Sequence, residues 1–150
     1  MTRLTPDDVA CWVLKSSVPP TGMAPDWGAG TERVLTRCVR PSYRLGLMEA
    51  GQPCLLWLSG RDRPGVHALG VLAGRPGPTD DGPVVPVRLV LLAEPVHRAE
   101  LLADPVARGA EVLRMPAGSN PSWLSRPQFD AVLARVPRPD GAPRLEPWSP

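Results

Sequence analysis

Lysine is almost missing from this chain: of 17 basic residues only Lys15 is one, and the other sixteen are arginine. That excess, with abundant Ala, Pro, Gly and Leu, reads as a GC-rich coding background and makes Lys15 conspicuous. Acids number 15, the formal net charge is +2, and both signs are spread along the 150 residues. A protein that coats nucleic acid indiscriminately carries a basic run or stripe, so that class is excluded, whereas a small basic patch at one site is not. No apolar run approaches the ~20 residues that a membrane-spanning helix needs. The opening Met1-Thr-Arg-Leu-Thr-Pro-Asp-Asp has acids and no apolar stretch, so no secretory leader and a cytoplasmic location are expected.

Cysteine and histidine are scarce too. Cys11, Cys38 and Cys54 are odd in number and lack C-x-x-C spacing, which argues against a disulfide framework or a structural zinc. Each has apolar neighbours and is expected to be a small buried hydrophobe. His67 and His97 stand thirty residues apart, without a carboxylate at metal-ligand spacing. There is no G-x-S-x-G elbow, phosphate-binding loop, G-x-G-x-x-G or H-E-x-x-H. The carboxylate pairs Asp7-Asp8 and Asp80-Asp81 lie in polar turns where solvation accounts for them. The expectation is a non-catalytic protein with no cofactor and no metal.

What is present suits one domain with one core. Residues 1–8 are a polar lead-in, 9–136 the domain, and 137–150 a Pro-rich tail expected to be disordered or loosely draped, with Trp148 its one large apolar group. Val9 to Lys15 is continuously apolar, as in a strand buried on both faces. Further strands are expected over 53–59, 66–73 and 84–92, the last starting at an edge or bulge because of Pro86. Ser16 to Gly30 reads as a long Pro/Gly loop bearing Trp27. Helical pieces are expected over 42–49, 97–103, 108–115 and 126–135, the last capped by Ser125 with Gln128, and Asn120 to Ser125 reads as a loop. Strands outnumber helices without βαβ alternation, so the class is α+β: a small barrel or strongly curved sheet with helices outside.

Tryptophan occurs five times against one Tyr and one Phe. Indoles stack on planar rings while Ser or Asn reads a hydrogen-bonding edge, so Trp12, Trp27 and Trp57 with Lys15, Ser16, Ser59 and Asn120 form the candidate binding set. Strand alternation puts Trp12 and Leu14 on one face, Val13 and Lys15 on the other, and Trp57 with Ser59.

Several segments in register resemble the EVE domain of the PUA-like superfamily, related to YTH domains. Cys11-Trp-Val-Leu-Lys-Ser-Ser is similar to its opening strand, Val39-Arg40 to the Val-Arg that opens its next helical stretch, and Gly51-Gln-Pro-Cys-Leu-Leu-Trp-Leu-Ser to its second core strand. Arg63-Pro-Gly-Val-His-Ala-Leu-Gly-Val-Leu and Ser119-Asn-Pro-Ser-Trp-Leu-Ser-Arg-Pro-Gln-Phe-Asp-Ala-Val-Leu resemble later segments. The likeness spans roughly 9–136. It implies a PUA-like curved β-barrel, a pocket for a flipped modified base, and a nucleic-acid partner, modified cytosine in DNA ahead of RNA. Carried over by position, Lys15 and Ser16 take the family's Lys-Ser, Trp57 its Tyr, Ser59 its Ser, and Asn120 the closing loop. The family's Glu-Pro is here Ser17-Val18, and Thr36 stands where a Trp often does, which leaves open whether Trp27 supplies that wall. The expected protein is a monomeric modified-base reader that avoids membranes. Alternatives are an ASCH-like hydrolase of an acylated base, using Lys15, and a protein-interaction module anchored on Trp residues.

Overall fold

The computed structural model describes residues 3–136, so the Pro-rich segment 137–150 with Trp148 lies outside the described residues. Six strands form one mixed sheet: β1 Cys11–Ser16, β2 Glu32–Cys38, β3 Pro53–Leu58, β4 Gly65–Leu72, β5 Val84–His97 and β6 Ser122–Leu124. Their order is β2-β5-β4-β3-β1-β6, and only β1 and β3 run parallel among adjacent pairs.

The apolar run of β1 is explained by two cores. Trp12 and Leu14 pack on one face with Trp27, Met48, Leu56 and Val87. Cys11 and Val13 pack on the other with Leu55, Trp57, Leu69 and Val96, beneath residues of the helical segments such as Leu101, Val112 and Phe129. A strand that must fill both has no polar side to alternate.

Helices are short: α1 Pro20–Met23, α2 Arg98–Leu102, α3 Glu111–Arg114 and α4 Arg126–Leu133. The capping box expected for α4 is present: Gln128 N–H donates to Ser125 Oγ at 3.4 Å and Ser125 N–H to Gln128 Oε1 at 2.9 Å. Residues Tyr43–Leu47 form a 3-10 turn, whose start is capped by Ser42 Oγ accepting from Arg44 N–H.

Four expectations need correction. Residues 32–38 and 122–124 are strands, although the latter was expected to lie in a loop and the former was not read as a strand. The three residues of β6 carry no strand pattern of their own and are extended because they pair with β1. β5 is an inner strand despite Pro86. Its carbonyl accepts from Ala73 N–H, just past the Leu72–Val87 end of the β4 ladder, so the missing N–H breaks no rung. Cys38 is exposed because it lies on the outward side of β2, while Cys11 and Cys54 are buried.

The fourth correction concerns closure. Among the described residues the sheet is not closed into a barrel, because no ladder joins β2 to β6. The sheet nonetheless wraps far enough for the flanks of its two edges to touch: Arg40 N–H donates to the Asn120 carbonyl at 2.8 Å. We call this meeting point the seam.

Candidate functional site

Asn120, just before β6, holds the seam with its side chain. Its Oδ1 accepts from Lys15 N–H at 3.2 Å, and its Nδ2 donates to the Cys38 carbonyl at 3.2 Å and, at 3.5 Å, to the Lys15 carbonyl. One amide thus stands in for the missing rung between β1 and the end of β2. An Asn does this well because it carries donor and acceptor side by side.

Lys15 leaves β1 on the helix-covered side, with Val13. Its Nζ donates to the Pro116 carbonyl at 3.1 Å. Burial pushes the Lys15 ammonium below its ordinary value, nearby Glu111 opposes that, and Arg40 and Arg44 add to it. Glu111 is itself engaged: Arg44 grips it in a fork at 2.8 and 2.7 Å, and Ser122 Oγ donates to it at 2.9 Å. Arg44 also donates to the Pro121 carbonyl, tying the turn at 43–47 to the chain beside Asn120. The Arg44 hydrogen bonds hold the Glu111 carboxyl below its usual range, against the opposing effect of burial. Among the described residues, Lys15, Arg40 and Arg44 thus lie near the seam with the committed carboxylate of Glu111, a local positive excess in a chain that is nearly neutral overall.

The nominated residues do not form one cage. Trp12 is fully buried on the interior side, with its Nε1 donating to Gln52 Oε1 at 2.8 Å. Trp27 fills the same core and donates to the Thr31 carbonyl at 2.7 Å. Trp57 is buried on the opposite face, where the β1–β3 register sets it beside Lys15 rather than Trp12. Ser16 caps its own turn, its Oγ accepting from Val18 N–H and donating to the Val18 carbonyl. Ser59 follows β3 and its N–H donates to the Ser16 carbonyl at 2.8 Å. Lys15, Ser16, Ser59 and Asn120 thus come together at the end of β1, with Trp57 beneath Lys15. Trp12 and Trp27 lie on the other side of the sheet. Thr36 is exposed on the outward side of β2.

Residues the sequence reading passed over are Arg37, Arg44, Gln52 and Glu111. The alternation Arg33, Leu35, Arg37, Val39 was available as a strand signal, but its inward positions are half cationic and so lack the usual apolar face. Two hollows among the described residues concern this region. A void of about 10 Å³ between sheet and helices is lined by apolar side chains including Val13, Trp57 and Leu101. It is water-sized but offers no polar partner, so it stays dry. A cleft of about 310 Å³ between Leu45 and the Pro76–Pro83 loop is open to solvent. It reaches the seam end of β2, because Val39 N–H donates to the Pro83 carbonyl. None of the nominated residues lines it.

No family model and no curated protein matches the chain by sequence. Solved structures do match in shape. A hypothetical protein from Leishmania major superposes with TM-score 0.66 at 15% identity, over 87% of this chain and 96% of that one. A Pseudomonas putida protein gives 0.67 at 13%, over 85% and 100%. Human THYN1, solved in complex with DNA containing 5-methylcytosine, gives 0.60 at 18%, over 86% and 99%. The chain therefore shares the mixed α+β fold of these domains across nearly their whole length.

Proposed function

We propose that this chain is a non-catalytic nucleic-acid-binding module of the EVE type that takes a modified, extruded base, with modified cytosine in DNA as first ligand. The observation that carries this reading is the seam: Lys15, Arg40 and Arg44 come together there, with Arg44 held by the carboxylate of Glu111. Such a patch holds a phosphate backbone in register, while hydroxyl and amide groups at the same place can meet a base edge. The fold shared with a THYN1 domain bound to methylcytosine DNA supports the choice of ligand. Since Trp12 and Trp27 are spent on the interior, the base contacts fall to groups at the seam and its rim.

The test is binding of short oligonucleotides carrying cytosine, 5-methylcytosine or modified adenine to wild type, Lys15→Ala and Arg40→Ala. Each variant should weaken binding across sequences and lower the salt slope by about one. Absence of binding to every oligonucleotide, by a folded wild type, would sink the reading.

A second reading, hydrolysis of an acylated base, is favoured by one observation. Partial burial and the neighbouring Arg40 and Arg44 lower the Lys15 pKa against the opposing pull of Glu111, which is the direction a lysine base requires. Turnover of an acylated nucleoside that Lys15→Ala abolishes would promote it over the binding module.

A further inference from the structure

Arg37 is a cation with no ion-pair or side-chain hydrogen-bond partner among the described residues. It lies on the inward side of β2, between Leu35 and Val39, both of which pack into the interior core. Its Nε is enclosed and has no hydrogen-bond partner among the described residues. Other half-buried arginines fare differently: Arg33 pairs with Asp26, Arg44 with Glu111, and Arg126 with Asp130. A guanidinium has five donors and no acceptor, so nothing but an acceptor can satisfy it. The side chain is only half buried, which leaves it approachable from solvent. It pairs through its backbone with Val85, one step from the Cys38–Val84 pair where Asn120 Nδ2 is anchored. The open cleft between Leu45 and the loop 76–83 lies at this same end of β2, with Arg37 beside it and not in its lining.

We infer that Arg37 is a specificity residue that reads the O2 and N3 acceptors of the bound pyrimidine, and so selects cytosine-type bases over thymine. This rests on the nucleic-acid reading given above. Cytosine presents O2 and N3 as adjacent acceptors, which match two prongs of the guanidinium fork. Thymine carries a hydrogen on N3 and sets a donor against a donor. The inward placement of Arg37 favours a base edge, whereas Lys15 and Arg40 flank the seam itself and suit the phosphates.

5-Methylcytosine and thymine carry the same methyl group and nearly the same shape, so comparing them isolates that edge. Affinities of single-stranded oligonucleotides with either base at one position are measured for wild type, Arg37→Met and Arg37→Lys. Arg37→Met keeps the length of the stem and removes a half-buried charge whose Nε has no partner among the described residues, so it should melt at or above the wild-type temperature. Wild type should prefer 5-methylcytosine by roughly tenfold or more, and Arg37→Met should bring the two affinities together without changing the salt slope. Arg37→Lys, which keeps the charge but loses the fork, should recover little of the preference. If Arg37→Met binds as wild type does, the inference is overturned and the nucleic-acid reading stands. If it weakens both oligonucleotides equally and lowers the salt slope, Arg37 meets phosphate and the base-edge assignment is wrong. If folded wild type binds neither oligonucleotide, the reading beneath the inference fails and the inference fails with it.

Discussion

Replacing Glu111 by alanine strips the Arg44 guanidinium of its fork and leaves Ser122 Oγ without an acceptor. The two side chains of the pair are only 12% and 15% exposed, so the abandoned charge is largely out of water. Breaking a buried pair from one side costs about 3–5 kcal/mol, and the residual exposure points to the lower end, about 3 kcal/mol. For a chain of this size that is a fall in melting temperature of about 10 °C. Urea unfolding of wild type, Glu111→Ala, Arg44→Met and the double variant provides the assay, with constant m-values as the check on two-state behaviour. The double variant should be more stable than Glu111→Ala alone, giving a coupling of about 2 kcal/mol. Arg44 holds the folded-state carboxyl of Glu111 below its unfolded value of about 4.3, so its stabilising share is full above that pH. It is lost as pH falls through the lower, folded value, and Glu111→Ala should flatten that part of the acid limb. A Glu111→Ala protein within about 0.5 kcal/mol of wild type would refute the reasoning, because exposed pairs behave that way.

Three further outcomes follow from other contacts. Asn120→Ala removes the acceptor of Lys15 N–H and the donor to Cys38, and should cost about 2 kcal/mol in urea unfolding while speeding hydrogen exchange at Lys15 and Arg40. Unchanged exchange there would mean the seam is held by something else. Gly70→Ala places a Cβ against the Arg88 carbonyl across the β4–β5 pair, backbone against backbone, so a loss of about 3–5 kcal/mol or failure to fold is expected from thermal melts. Trp12→Phe loses the bond to Gln52 and opens a gap in the interior core, for about 2 kcal/mol, whereas a surface indole would tolerate the change.

Legibility from sequence followed how each element earns its conformation. β1 and β3 were readable because both their faces are buried and their residues are almost all apolar. β2 was not, since Val34 points outward at 68% exposure while Arg33 and Arg37 point inward, inverting the usual pattern. β6 was not readable either, because its three residues take their shape from the pairing with β1. At the site, alternation within β1 correctly set Lys15 opposite Trp12. What it could not supply was the register between strands, which puts Trp57 next to Lys15 and Cys54 next to Trp12. That register separates Trp57 from Trp12 and Trp27, while the grouping of Lys15, Arg40 and Arg44 with Glu111 of α3 was invisible in the linear chain.

The claim that the seam is the nucleic-acid contact is tested most directly by NMR titration of the folded protein with an oligonucleotide carrying one 5-methylcytosine. The backbone amides of Lys15 and Arg40 and the side-chain amide of Asn120 should shift together and saturate at one stoichiometry, with Arg37 Nε–H moving alongside them. Saturable shifts confined to residues remote from the seam, such as α4 Arg126–Leu133 or the Arg61–Gly65 turn, would contradict the account.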